Sequence, residues 1–114
     1  MLNLPPSVRI FLCLSHIDMR RGFDALARMA QDATGEEPLS GHLFVFRSRR
    51  GDRLKILYWD RDGFALWYKR LEKGTFIFPQ TEGAPPDVSA ADMAMILGGV
   101  DLSKVRRQKR YKSC

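Results

Sequence analysis

Residues 49–70 read "RRGDRLKILYWDRDGFALWYKR", two runs of alternating side chains parted by Asp62-Gly63 and preceded by a second turn signal, Arg50-Gly51-Asp52. A period of two, in runs rich in aromatic and branched residues, is the pattern of β-strands that present one set of side chains to each face. Asp-Gly favours a two-residue type I′ hairpin turn, because both central positions then take positive φ. Such a turn pairs Arg61 with Phe64, Trp59 with Leu66, Leu57 with Tyr68 and Lys55 with Arg70. If Arg50 and Arg53 pair across the earlier turn, Phe46 of "HLFVFRS" meets Leu57 and Phe44 meets Trp59. The expected unit is a three-stranded antiparallel meander. One face carries Phe44, Phe46, Leu57, Trp59, Leu66 and Tyr68, and the other Leu43, Val45, Ile56, Tyr58 and Trp67. One helix does not cover both, so the second face requires the C-terminal helix, a partner subunit or a ligand.

Upstream, "SVRIFLCLS" alternates as a strand, with Val8, Ile10, Leu12 and Leu14 on its buried side. In "HIDMRRGFDALARMAQDATG", Met19, Phe23, Leu26, Ala27 and Ala30 recur at helical spacing, Asp18 is placed to cap and Gly35 to terminate. This predicts an amphipathic helix over about 19–34. Gly22 in its first turn costs about 1 kcal/mol against Ala, which marks a backbone that something approaches closely. Downstream, "GTFIFPQTEGAPPDV" begins as a short strand and becomes a Pro-rich linker. Ser89 with Asp92 three residues on forms a capping-box pattern before a short helix over about 90–98, stopped by Gly98-Gly99. The expected fold is α+β: an antiparallel meander of three to four strands plus an N-terminal strand, packed by these two helices.

With 114 residues, 45% of them hydrophobic, the chain has material for one modest core and not for two. Residues 1–100 are expected to form one domain and 101–114 a basic tail. No apolar run is longer than the five residues of Ile10 to Leu14, far short of the roughly 20 that span a bilayer, and the flanks of that run lack signal-peptide features. A cytoplasmic protein without membrane contact is the expectation. Two cysteines, Cys13 and Cys114, make no disulfide framework, and two histidines with no CxxC make no zinc site. No cofactor or metal is implied.

Charge is concentrated at one end. The chain carries +6, of which "DLSKVRRQKRYKSC" (101–114) contributes +5. A near-neutral domain with a basic tail suits nucleic acid as a partner; a merely solubilising terminus is the bland alternative. Within the domain, Arg49, Arg50, Arg53, Lys55, Arg61, Lys69 and Arg70 gather at turns and strand ends. Together with Lys104, Arg106, Arg107, Lys109, Arg110 and Lys112 they are the candidate phosphate contacts. Lys55 opposite Arg70 would be a like-charge pair that an anion relieves, although Glu72, Asp60 or Asp52 could relieve it without a ligand. Aromatic platforms beside basic grooves also bind single strands, but aromatics at strand spacing are more often core.

No reaction is legible. Asp18, Asp24, Asp52, Asp60 and Asp62 could be drawn as a metal-dependent nuclease, yet cap and turn roles absorb nearly all of them. His16 and Asp18 stand near no recognisable nucleophile motif, and Cys13 in a buried strand is expected to be inert. There is no GxGxxG, P-loop or HExxH. The chain reads as a non-enzyme.

"DMRRGFDAL" (18–26) and "SGHLFVFRSRRGDRLKILYWDRDGFALWYKRLEKGTF" (40–76) resemble the small accessory protein TnpB, the second open-reading-frame product of bacterial insertion sequences of the IS-sixty-six type. The resemblance runs from about Val8 to Leu102 and includes Asp18, Arg20, Gly22, Lys55, Trp59, Gly63 and Arg70. It implies a role in transposition beside a separate, larger transposase that carries the strand-transfer chemistry, and it transfers no catalytic residue. The expected partners are DNA and the transposase of the same element, with assembly of several copies left open. Two readings are open: a DNA contact of little sequence specificity through the basic hairpin and tail, or an adaptor that docks on the transposase through the second apolar face without touching DNA.

Overall fold

Four consecutive residues, Leu43, Phe44, Val45 and Phe46, are all buried, which requires cover on both faces of the strand that carries them. The computed structural model, which describes residues 8–78 and 87–98, supplies that cover with one helix on each side of a mixed sheet. The elements are β1 (Ile10–Ile17), α1 (Phe23–Thr34), a 3-10 turn (Pro38–Ser40), β2 (Leu43–Ser48), β3 (Arg53–Asp60), β4 (Gly63–Arg70), β5 (Asp87–Val88) and α2 (Ala90–Leu97). The five strands lie in the order β4-β3-β2-β1-β5. β1 runs parallel to β2, connected through α1, and every other pairing is antiparallel. The class is the expected α+β, with the meander intact as β2-β3-β4.

On one face Phe11, Cys13, Phe44, Phe46 and Leu57 pack against Leu26 and Ala30 of α1. On the other Leu12, Leu43, Val45, Leu54 and Ile56 pack with Met93, Ile96 and Leu97 of α2 and with Phe76. The second apolar face is therefore covered by the C-terminal helix. Ser89 caps α2 as its spacing predicts, its hydroxyl accepting the Asp92 amide at 3.1 Å.

Both hairpin registers differ from expectation by two residues. β3 and β4 pair Leu57 with Leu66, Trp59 with Phe64 and Lys55 with Tyr68, so the turn is Arg61-Asp62 and Gly63 belongs to the strand. Arg61 takes the left-handed conformation, φ 56°, that Asp-Gly was expected to supply. Likewise Phe44 meets Leu57 and Phe46 meets Lys55, around a four-residue loop at positions 49–52. Because side chains alternate, a slip of two keeps every residue on its face. The reason is packing: the observed register sets the Trp59 and Phe64 rings edge to face at 5.1 Å and places Lys55 against a tyrosine ring, moving the like-charge pair from Lys55–Arg70 to Arg53–Arg70 at the strand ends.

α1 begins four residues later than the helical spacing predicts. The Asp18 side chain accepts the Arg20 amide at 2.9 Å and its carbonyl accepts the Arg21 amide at 3.1 Å, so residues 18–21 form a turn. Gly22, not Asp18, is the N-cap. Met19 packs on the core from that turn, which is why it fitted the helical stripe. Residues 75–78 pair with no strand; the sheet is completed instead by Asp87–Val88 against Phe11 and Ile10, inside the expected linker. The tail at 101–114 lies outside the described residues.

Gly51 has φ 81°, and a Cβ there would stand 3.3 Å from the Thr75 Cβ, whereas Gly63 has ordinary φ and open space around it. Gly51→Ala is expected to cost about 1–2 kcal/mol in urea denaturation. Gly63→Ala, at the position the turn signal singled out, is expected to be neutral or slightly stabilising, within about 1 kcal/mol.

Candidate nucleic-acid interface

At the carboxyl ends of the parallel strands the chain opens a cleft of about 610 Å³, lined by His16, Ile17, Asp18, Met19 and Arg20 on one wall and Ser48, Arg49, Arg50, Asp52 and Arg53 on the other. Ligands of sheets with parallel strands commonly sit at this end. The first wall is set by a bulge. β1 and β2 are in register at Cys13 with Phe46, then again only at Ile17 with Ser48, so three exposed residues, Leu14 to His16, oppose one. Such an insertion bends the strand and re-aims the side chains beyond it.

The second wall is a loop tied down at each backbone turn. The Gly51 amide donates to the Ser48 carbonyl at 3.0 Å, and the Gly51 carbonyl accepts the Phe76 amide at 2.7 Å. The Ser48 hydroxyl accepts the Arg53 amide at 3.1 Å and donates to Asp52 Oδ1 at 3.4 Å. Arg47 fastens the same region, its guanidinium donating to the Phe76 carbonyl at 3.1 Å and lying 4.4 Å from the Phe78 ring centroid. The loop backbone is thus fixed while Arg49 and Arg50 stand exposed. Neither they nor Arg53 form an ion pair among the described residues.

The opposite wall carries its own compensated charge. Arg20 Nη2 donates to Asp18 Oδ2 at 2.6 Å, and its Nε reaches both carboxylate oxygens. These bonds hold the Asp18 carboxyl down at about 2, so the pair's contribution is present above the ordinary carboxylate range and fades only as the pH falls toward 2. Arg53 faces Arg70 across β3 and β4, and Arg70 makes a long 3.7 Å pair with Glu72.

Four arginines named from the sequence, Arg49, Arg50, Arg53 and Arg70, therefore come together at one end of the sheet. Three other residues do not join them. Lys55 is a correction: it is only 8% exposed, and its ammonium donates to the carbonyls of Met19 at 2.7 Å and Arg21 at 3.1 Å. Its charge serves the fold, because a buried ammonium must be hydrogen-bonded. Lys69 donates to the Leu97 carbonyl at 3.0 Å and so holds the last turn of α2. Arg61 sits at the far turn, about 25 Å away along an eight-residue strand. Lys104, Arg106, Arg107, Lys109, Arg110 and Lys112 lie outside the described residues. Arg20 and His16 were missed as wall residues, since the spacing placed Arg20 on a helix face; the Asp18-x-Arg20 turn was the available signal.

Among the described residues no group of three or more His, Cys, Asp or Glu is placed to hold a metal, and no helix is long and apolar enough to cross a membrane. Asp60 and Asp62 stand at the opposite end of β3 from Asp18 and Asp52. Burial pushes the Cys13 thiol up to about 12.

A family model described as "IS66 Orf2 like protein" matches residues 8–107. Two curated relatives come from Sinorhizobium fredii (strain NBRC 101917 / NGR234). "Uncharacterized protein y4hO" is 41% identical over 89% of this chain and 88% of its own length. "Uncharacterized protein y4jC" is 34% identical over 95% of this chain and 92% of its own. No solved structure matches the chain.

Burial of Lys55 and Cys13 sets two expected outcomes. Lys55→Met should destabilise the fold by about 1–3 kcal/mol in urea titration, because two carbonyls lose their donor, whereas Arg49→Met should stay within about 0.5 kcal/mol. In a Cys114→Ser chain at pH 8, Cys13 should react with iodoacetamide only as fast as the protein unfolds, read by mass spectrometry across a urea series.

Proposed function

The chain belongs to the IS66 Orf2-like protein family, accessory proteins of insertion sequences, and from that membership we propose that it serves transposition by holding DNA phosphates in the arginine-lined cleft. The observation that carries this reading is the convergence of Arg49, Arg50 and Arg53, without carboxylate partners among the described residues, on a loop whose backbone is already fixed. Guanidinium groups on a rigid frame suit phosphate oxygens, which accept paired N–H bonds. The basic tail extends the contact. Phosphate contacts position a protein without reading bases, and the polar open face of α1, with Asp24, Arg28, Gln31 and Asp32, does not line the cleft, so little sequence preference is expected. The family is one of accessory proteins without known catalytic activity, and chemistry is left to the separate transposase.

The adaptor reading required an apolar face free for docking. That face carries α2, with Met93, Ile96 and Leu97 buried against it, which favours DNA as the primary partner and leaves the transposase to meet some other surface.

Fluorescence anisotropy of the full chain with end DNA of its element and with random duplex tests the proposal. Both should bind alike at 50 mM salt and weaken steeply by 200 mM. The Arg49→Gln, Arg50→Gln, Arg53→Gln triple variant should weaken both duplexes equally and flatten the log–log salt slope by roughly 2–3. Arg61→Gln should change neither. Absence of binding at any salt would remove the DNA reading.

A further inference from the structure

Tyr68 is an exception among the aromatics that face α1. Phe44 and Phe46 on that side are buried, whereas Tyr68, on the edge strand β4, is 47% exposed. Its ring is nevertheless held from one side. Lys55 lies directly across the strand pair, with its ammonium 5.2 Å from the ring centroid and anchored on the carbonyls of Met19 and Arg21. The ring is thus a supported platform with accessible surface. Two residues along on the same face, Arg53 and Arg70 sit opposite each other; Arg70 reaches Glu72 only at a long 3.7 Å and Arg53 forms no ion pair among the described residues, so a bound anion would relieve this like-charge pair further. A second exposed aromatic, Phe23 at 46%, opens α1 two residues beyond the carbonyl of Arg21 that Lys55 grips.

A duplex hides the faces of its bases within its own stack, whereas a single strand offers each of them to an aromatic ring. A platform beside paired arginines therefore selects between the two forms of DNA. We propose that this surface binds single-stranded DNA, with an unpaired base stacked on Tyr68 and the neighbouring phosphates on Arg53 and Arg70. The assignment rests on the nucleic-acid reading above and narrows its substrate from DNA in general to unpaired DNA.

The test uses the full chain with a labelled oligothymidine of about 12 nucleotides, within the range single-strand sites span, and a labelled random duplex in the same buffer. The wild-type protein should hold the oligothymidine more tightly than the duplex. Tyr68→Leu, which keeps apolar bulk but removes the π face, should weaken oligothymidine binding by about 10-fold or more and leave duplex binding unchanged. Tyr68→Phe should bind as the wild type does, which separates loss of stacking from a disturbed strand. Undiminished oligothymidine binding by Tyr68→Leu, or an equal loss on both DNAs, would overturn the stacking site while the phosphate cleft stands. Failure of the wild-type protein to bind either DNA would overturn both.

Discussion

Lys55 stands in the middle of the sheet face that α1 covers, between Phe46 and Tyr68, and its ammonium ends on two backbone carbonyls of the β1–α1 connection. Met19 and Arg21 precede the helix, so neither carbonyl has an intrahelical partner; the lysine supplies one to each. The arrangement is reciprocal, since an unpaired ammonium in that position would be strongly unfavourable. Its consequence is positional. Gripping the residues on either side of Arg20 fixes the turn to the sheet and leaves the Arg20 side chain outside, on the wall of the cleft. The ring of Tyr68 is held by the same ammonium.

Charge on this end of the molecule then falls into two kinds. Arg20 is matched by Asp18, Lys55 by carbonyls, Lys69 by the end of α2 and Arg47 by the Phe76 carbonyl and Phe78 ring. These cations hold the walls and layers in place. Among the described residues Arg49, Arg50 and Arg53 hold nothing comparable, although their backbone is immobilised through Ser48, Gly51 and Phe76. Rigid backbone under unmatched guanidinium groups is preorganisation, which lowers the entropic cost of binding an anion.

The sequence revealed the layers more readily than the registers. Alternation in Phe44 to Trp67 assigned faces correctly, and a two-residue slip in each hairpin left those assignments untouched because strand side chains repeat every two residues. The slip itself was not legible: Asp62-Gly63 is a strong local signal, but Trp59 against Phe64 and Lys55 against Tyr68 are gains visible only once strands are paired. Asp18 had the chemistry of a helix cap and used it on a turn two residues away. For the site, Arg49, Arg50, Arg53 and Arg70 could be found by composition alone, since exposed turns and strand ends carry them. Lys55 looked the same as its neighbours, and only the arrival of two carbonyls from 34 and 36 residues earlier in the chain gives its charge an interior role.

On this reading DNA lies at the carboxyl ends of β1 and β2, beside the outer end of β4. Amide chemical-shift mapping of the full chain titrated with oligothymidine tests that placement most directly. Perturbations should cluster at residues 16–20, 48–53 and 68–70, leaving the Arg61-Asp62 turn and α2 still. Shifts confined to the Arg61-Asp62 turn, to α2 or to residues 101–114 would contradict it.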